Sequence, residues 1–261
     1  MQTRKTVLTL SIAVAAIAIA ITGLRAQNRE TARNNEQPNA LKVKEDKLPT
    51  VNFDTSEPSN ANEKARRNAR SKRFDGSLRV AEPHPEAGAK GILDSWMQTV
   101  PALPVDVSDA IVIGEVTNAQ AYLSPDKTGV YTEYTIRVDE VLKQSSAAPI
   151  VTGGFVDAQR EGGRVRFPSG RVQSYITHYQ GVPVVGRRYV LFLKRNQQAD
   201  VFTLLTGYEQ RDGHVYPLDG VDLPLGATEI PQFAAYKGVD EATFSNDLRS
   251  ALTHPQNQPN K

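Results

Sequence analysis

The residues best suited to acid–base or metal chemistry are four histidines, His84, His178, His214 and His254. Imidazole titrates near neutral pH and ligates zinc as its neutral form. His178, His214 and Asp212 could converge in the fold as a zinc or general acid–base site for a hydrolase or metal-dependent enzyme. Three such residues meet easily by chance, so surface or strand-face histidines are the favoured reading. His84 and His254 fall in polar stretches without periodicity. The chain has no Cys, which removes thiol catalysis, disulfides and cysteine metal sites. It also lacks G-x-S-x-G, H-E-x-x-H, a Walker loop, and a G-x-G-x-x-G behind a strand. No catalytic residue, metal or cofactor is assigned.

A second set is cationic and aromatic. Arg160, Arg164, Arg166 and Arg171 share one segment with Phe167, Tyr175 and Tyr179. Guanidinium pairs with carboxylate and phosphate and stacks on aromatic faces. Arg164, Arg166, Phe167, Arg171, Tyr175 and Tyr179 are therefore the candidate ligand-binding residues. The ligand would be anionic: a carboxylate, an acidic glycan or a protein patch. The bland alternative is a solvated hairpin with ordinary charges. Lys64-Ala65-Arg66-Arg67-Asn68-Ala69-Arg70-Ser71-Lys72-Arg73 is the other cationic run. It reads as a contact for anionic headgroups, nucleic acid or an acidic polymer, or as solvated charge in a flexible tether, which is favoured.

Residues 1–90 carry 16 Lys and Arg against 10 Asp and Glu, a net of +6. Residues 91–261 carry 15 against 19, a net of −4. A mildly acidic folded part argues against nucleic acid. The expected partner is a protein or an envelope polymer.

Arg4 and Lys5 precede an uncharged run, Thr6 to Leu24. A bilayer core needs about 20 apolar residues in a helix. Residues 1–26 are a signal peptide or a membrane anchor, with residues 6–24 as the span if uncleaved. Cleavage after Ala26 would place Leu24 at the minus-three position, where a small residue is wanted. Either way the rest of the chain is expected outside the cytoplasm, secreted or membrane-anchored.

Residues 27–90 read as a disordered spacer. Leu41, Val43, Leu48, Val51 and Phe53 show no sustained period. If any of it packs, Val51 and Phe53 are the first suspects. A domain over residues 91–252 follows, then a polar tail, 253–261. Ile92, Leu93, Trp96, Met97 and Val100 recur at helical spacing. Asp109–Tyr122 and Val130–Lys143 read as strands around the turn residues Ser124 to Gly129. A third strand is expected over Pro149–Val156, with a bulge at Gly153-Gly154, and a loop opening at Gly162-Gly163. Val172–Tyr179 reads as a weak strand. In Arg188–Leu193 both faces are apolar, so it should lie between a barrel interior and a covering helix. Phe202–Tyr208 and His214–Leu218 form a closing pair around Asp212-Gly213. Phe233, Tyr236, Phe244, Leu248 and Leu252 make a helical stripe with Asp240 as its cap.

Three segments carry a resemblance. They are Asp109-Ala110-Ile111-Val112-Ile113-Gly114-Glu115-Val116, then Thr132-x-Tyr134-x-Ile136-x-Val138-x-x-Val141-Leu142-Lys143, then Gly186-Arg187-Arg188-Tyr189-Val190-Leu191-Phe192-Leu193. Together they resemble secreted or membrane-tethered bacterial OB-like barrel domains of unknown function. Their strand pattern looks like that of netrin and tissue-inhibitor-of-metalloproteinases barrels. The resemblance spans about residues 105–215 and implies no catalytic residues. Those inhibitors act through an N-terminal Cys, and this chain has none. The fold class expected is mainly β: a small OB-like antiparallel barrel with flanking helices, closed so that no sheet edge is left exposed.

Overall fold

β2 (Ala110–Leu123) and β3 (Val130–Lys143) form one long hairpin. Val112, Val116, Tyr134, Ile136 and Val138 alternate onto one buried face. That alternation follows from the two-residue period of a strand. Register shifts between Ile111 and Val112, between Ile113 and Gly114, and between Val116 and Asn118 bend β2. Bulges sharpen strand twist in this way. A Cβ on Gly114 would sit 2.3 Å from the Arg137 carbonyl oxygen, so only glycine lets the hairpin backbones press together there.

The protein is described from a computed structural model, which covers residues 48–56, 58–80, 100–146, 149–197, 199–221 and 228–254. The run Thr6–Leu24, the helix expected over residues 92–99 with Trp96, and the tail beyond His254 lie outside the described residues. Among the described residues no helix is long and apolar enough to cross a membrane.

β4 (Phe155–Glu161), β7 (Arg188–Asn196) and β8 (Val201–Arg211) complete the ring. The order around it is β2-β3-β4-β8-β7 and back to β2. All neighbours are antiparallel except β4 and β8, which run parallel and meet only at Ala158/Phe202 and Gln159/Thr203. This is a small closed five-stranded barrel, consistent with an OB-like fold, in a mainly β chain with a few helices. β9 (His214–Pro217) is a hairpin extension of β8 outside the ring. β5 (Gly163–Arg166) and β6 (Val172–Tyr175) form a second small sheet.

β7 is buried on both faces. Tyr189, Leu191 and Leu193 fill the barrel. Val190 and Phe192 face outward, in a cluster with Phe233 of α2 (Pro231–Ala234) and with Phe244 and Leu248 of α3 (Glu241–Thr253). Asp240, in the two-residue β10 (Val239–Asp240), caps α3 by accepting from the Thr243 amide at 2.8 Å. The two faces of one strand thus join the interior to the helical cover.

Two expectations are corrected. The third strand begins at Phe155, not Pro149, and Gly153-Gly154 is the turn that feeds it, bonded to Val138 at both Gly153 N and Gly154 O. Gly163, expected in a loop, starts β5.

The larger correction concerns residues 48–80, expected within the spacer. β1 (Thr50–Asn52) pairs in parallel with β5, and α1 (Ala61–Ser71) runs into a tight helical turn at Lys72–Phe74. Val51, Leu78 and Val80 are buried with Ala121, Val130, Val165, Phe167 and Tyr175 in a third apolar cluster. Phe74 stacks on Tyr131, with centroids 4.5 Å apart. A Cβ at Gly129 would lie 1.9 Å from the Phe74 carbonyl oxygen, so the hairpin turn carries a glycine where this segment rests on it.

Leu191→Ala should cost roughly 2–5 kcal/mol and Phe192→Ala roughly 3–5 kcal/mol, by transfer plus cavity. Both are read from denaturant midpoints at unchanged slope. Gly129→Ala should displace the Phe74 segment and cost about 1–3 kcal/mol as an overpacking change. Its signature would be faster proteolysis within residues 48–80 than in the unsubstituted chain.

Candidate anion-binding face

On β5 the two-residue period places Arg164 and Arg166 on one face, with Val165 buried on the other. Arg166 is exposed and Arg164 half-buried. Phe167 and Tyr175 are 2% and 3% exposed, members of the third cluster. They are supports and not a ligand platform. Arg171 lies over the Phe167 ring, its guanidinium carbon 5.8 Å from the centroid. Tyr179 stands apart, with φ of +64°. It packs against the cluster under α2 and α3. Of the six expected residues, five share the β5–β6 sheet and its turn.

The structure adds residues from far away in sequence. Phe53, just after β1, tilts against Phe167 with centroids 5.4 Å apart. Lys127 Nζ lies 4.9 Å from the Phe53 centroid and donates to the Phe53 carbonyl at 3.0 Å. Lys127, Phe53, Phe167 and Arg171 thus form a continuous line of two cations around two rings. Arg67 of α1 lies over Tyr122 at 5.1 Å. It shares a cleft with Lys64 and Lys127.

The turn that carries Lys127 is internally fastened. Asp126 accepts from the Ser124 hydroxyl at 2.8 Å, from the Thr128 amide at 2.9 Å and from the Thr128 hydroxyl at 2.6 Å. Desolvation pushes its carboxyl upward, but these hydrogen bonds outweigh it and hold it at about 2. The carboxylate is therefore ionised at neutral pH and committed to its own turn.

The sequence marks Phe53 as a packing residue and Arg67 as part of the basic run without joining either to these arginines, and the reading missed Tyr122 and Lys127. One signal was present. Asn60 followed three residues later by Glu63 is a helix-start pattern, and Asn60 accepts from the amides of Asn62 and Glu63. That start makes most of the basic run a helix whose Arg67 and Arg70 share a side, with Arg73 in the tight turn that follows it.

Arg160 belongs elsewhere. It shares the interior face of β4 with Val156 and Ala158, and is 1% exposed. It grips Asp219, fully buried, through two bonds of 2.9 and 2.7 Å. It also donates to the carbonyls of Gly181 and Leu205. Asp219 in turn accepts from the Gly181 amide at 2.8 Å. The pair locks β4, β8 and two loops, and leaves no freedom for a ligand.

His178, His214 and Asp212 form no metal-holding group. Among the described residues no cluster of three or more His, Asp or Glu could hold an ion. His178 packs edge-on against Tyr179 at 3.9 Å, while His214 Nδ1 lies 2.8 Å from its neighbour Asp212's carbonyl oxygen on the exposed β8–β9 turn.

A wider groove of about 490 Å³ lies beside the start of β4, lined by Ile150, Val151, Phe155, Arg195, Asp200 and others. Val151 is 71% and Phe155 67% exposed.

No family model, curated protein or solved structure matches this chain.

Removing one partner of a buried pair leaves the other charge uncompensated. Asp219→Ala should therefore cost roughly 3–5 kcal/mol. Arg160→Met combined with Asp219→Leu should recover most of that in an unfolding titration, which would identify the pair as structural.

Proposed function

We propose that this protein is a non-enzymatic binding module, held outside the cytoplasm, that takes an anionic envelope polymer along the face described above. The observation that carries the reading is the line Lys127–Phe53–Phe167–Arg171, continued by Arg166 on one side and by Lys64 and Arg67 on the other. Cations spread along a surface and backed by rings suit a repeating anion better than a single small molecule.

The usual OB ligand surface supports the same choice. OB barrels bind oligomers on the face of their second and third strands. Here those strands are β3 and β4, and α1 occupies their outer side. Arg70 stands 3.9 Å from Glu133, and Arg73 donates to Gln159 at 2.8 Å. A ligand is thereby directed to the neighbouring basic face. The OB-like kinship with secreted or tethered bacterial domains belongs to this proposal, as does the export suggested by Thr6–Leu24.

The full chain should bind polyphosphate or polygalacturonate at low salt and release it as salt rises. Arg166→Gln with Arg171→Gln should weaken that binding roughly tenfold, the loss of one or two charge-assisted contacts. No binding of either polymer, or unchanged binding by the double variant, would reject the reading. Protease added to intact spheroplasts should digest the domain, whereas full protection would overturn the location.

The groove beside β4 favours a second reading, a protein partner seated on Val151 and Phe155. Phe155→Glu would abolish capture of such a partner and leave polymer binding intact.

A further inference from the structure

Asp75 follows the tight turn Lys72–Phe74, where this segment rests on the β2–β3 turn. The Gly76 amide donates to the Thr128 hydroxyl, and the Val80 amide to the Thr128 carbonyl at 2.9 Å. The Asp126 amide donates to Asp75 Oδ1 at 3.3 Å. Gly129 lies against the Phe74 carbonyl so closely that it has no room for a side chain. This docking brings the Asp75 carboxyl within hydrogen-bond reach of the Asp126 carboxylate.

Two acidic groups thus meet across the contact. The charged groups of the turn are Asp126 and Lys127, and Lys127 is committed to the carbonyl and ring of Phe53. On Asp75's own segment, Arg73 is bound to Gln159 and Thr203. Among the described residues neither Lys72, Arg79 nor any other cation forms an ion pair with Asp75. A carboxylate offers about four acceptor sites. On Asp126 the Ser124 hydroxyl and the amide and hydroxyl of Thr128 occupy three of them, which leaves one for a further donor. Desolvation is the largest cause raising the Asp75 carboxyl above its ordinary value. The Asp126 side chain adds to the rise, against partial relief from the Asp126 amide and the Ser124 hydroxyl. Asp126 itself is held at about 2.

We propose that Asp75 and Asp126 form a proton-controlled latch that fastens residues 72–80 to the β2–β3 turn. With a proton taken from solvent, Asp75 donates to the remaining acceptor site of Asp126 while still accepting from its amide. Ionised, it turns the same contact into a repulsion between like charges. The contribution of Asp75 to docking is fully present below the ordinary carboxylate value, about 3.9, and is lost as pH rises through its raised value. Asp126 stays ionised across that window and loses its turn bonds only as pH nears about 2. The latch is therefore tightest in moderate acid and looser at neutral pH. Arg73, just before Phe74, bridges β4 and β8, so loosening at Asp75 reaches the contact between those two strands. The latch stands apart from the polymer reading and holds whether or not a polymer binds.

The test follows hydrogen exchange at the Gly76 and Val80 amides of the full chain by NMR, corrected for the intrinsic exchange rate, from neutral pH down to about pH 4. Protection at both should rise roughly three- to tenfold on acidification, the order set by two like charges at hydrogen-bond distance in a water-exposed contact. Asp75→Asn both donates and accepts, as the protonated acid does. It should therefore show the acid-form protection at every pH, above that of the unsubstituted chain at neutral pH. Asp75→Ala can do neither, and should remain at or below the neutral-pH level throughout. The Leu191 amide in β7, far along the chain, should not follow the same titration. Flat protection in the unsubstituted chain would overturn the latch. So would a pH response that survives in Asp75→Asn, weaker protection in Asp75→Asn at neutral pH, or an equal rise at Leu191, which would mark a change in the whole fold.

Discussion

Barrel closure depends on a seam two residue pairs long. β4 and β8 meet only at Ala158/Phe202 and Gln159/Thr203, and parallel pairing is slightly the weaker kind. Side chains supply what the ladder lacks. On the outside, Arg73 donates to Gln159 of β4 and to Thr203 of β8, bridging the seam from a third element. On the inside, Arg160 of β4 reaches the Leu205 carbonyl of β8 and the Asp219 carboxylate. Gln159 passes the outer network on to Glu133 of β3. Both fastenings are polar and charge-assisted, which gives them directionality that apolar packing would not.

This seam explains which parts of the fold were legible beforehand. β2, β3 and β7 could be read because their burial is apolar: alternation in Tyr134, Ile136 and Val138, and a two-faced run in Tyr189–Leu193. β4 was placed too early because its own residues, Asp157, Gln159, Arg160 and Glu161, have the composition of a loop. Gln159 and Arg160 are polar because they fasten the seam, while Asp157 accepts from Thr135 of β3 and Glu161 from Thr177. Arg160 looked like one of a set of surface arginines, and nothing local announces a partner 59 positions away.

Residues 48–80 were illegible for a related reason. Their apolar residues do not build a stripe of their own. Val51, Phe74, Leu78 and Val80 each fill a place in a surface made by β2, β3, β5 and β6. A segment that completes another element's core needs no internal period, so the periodicity test passes over it. The binding face was half visible in the same way. Arg164, Arg166 and Arg171 could be grouped by their closeness in sequence. Phe53, Arg67 and Lys127 join them only through the docking of that segment.

Arg73 and Thr203 are 130 positions apart. Chains elongate at roughly 5–20 residues per second, so on the order of ten seconds separates the synthesis of the two halves of this fastening. For the first part of that interval Phe74 waits for Tyr131 and Phe53 for Phe167, and β4 has no second neighbour until β8 emerges. Closing so long a loop is also entropically slow. The nascent chain therefore carries a sticky, basic stretch well before its seat exists, and whatever shields it in that window determines how much of the protein reaches the closed barrel.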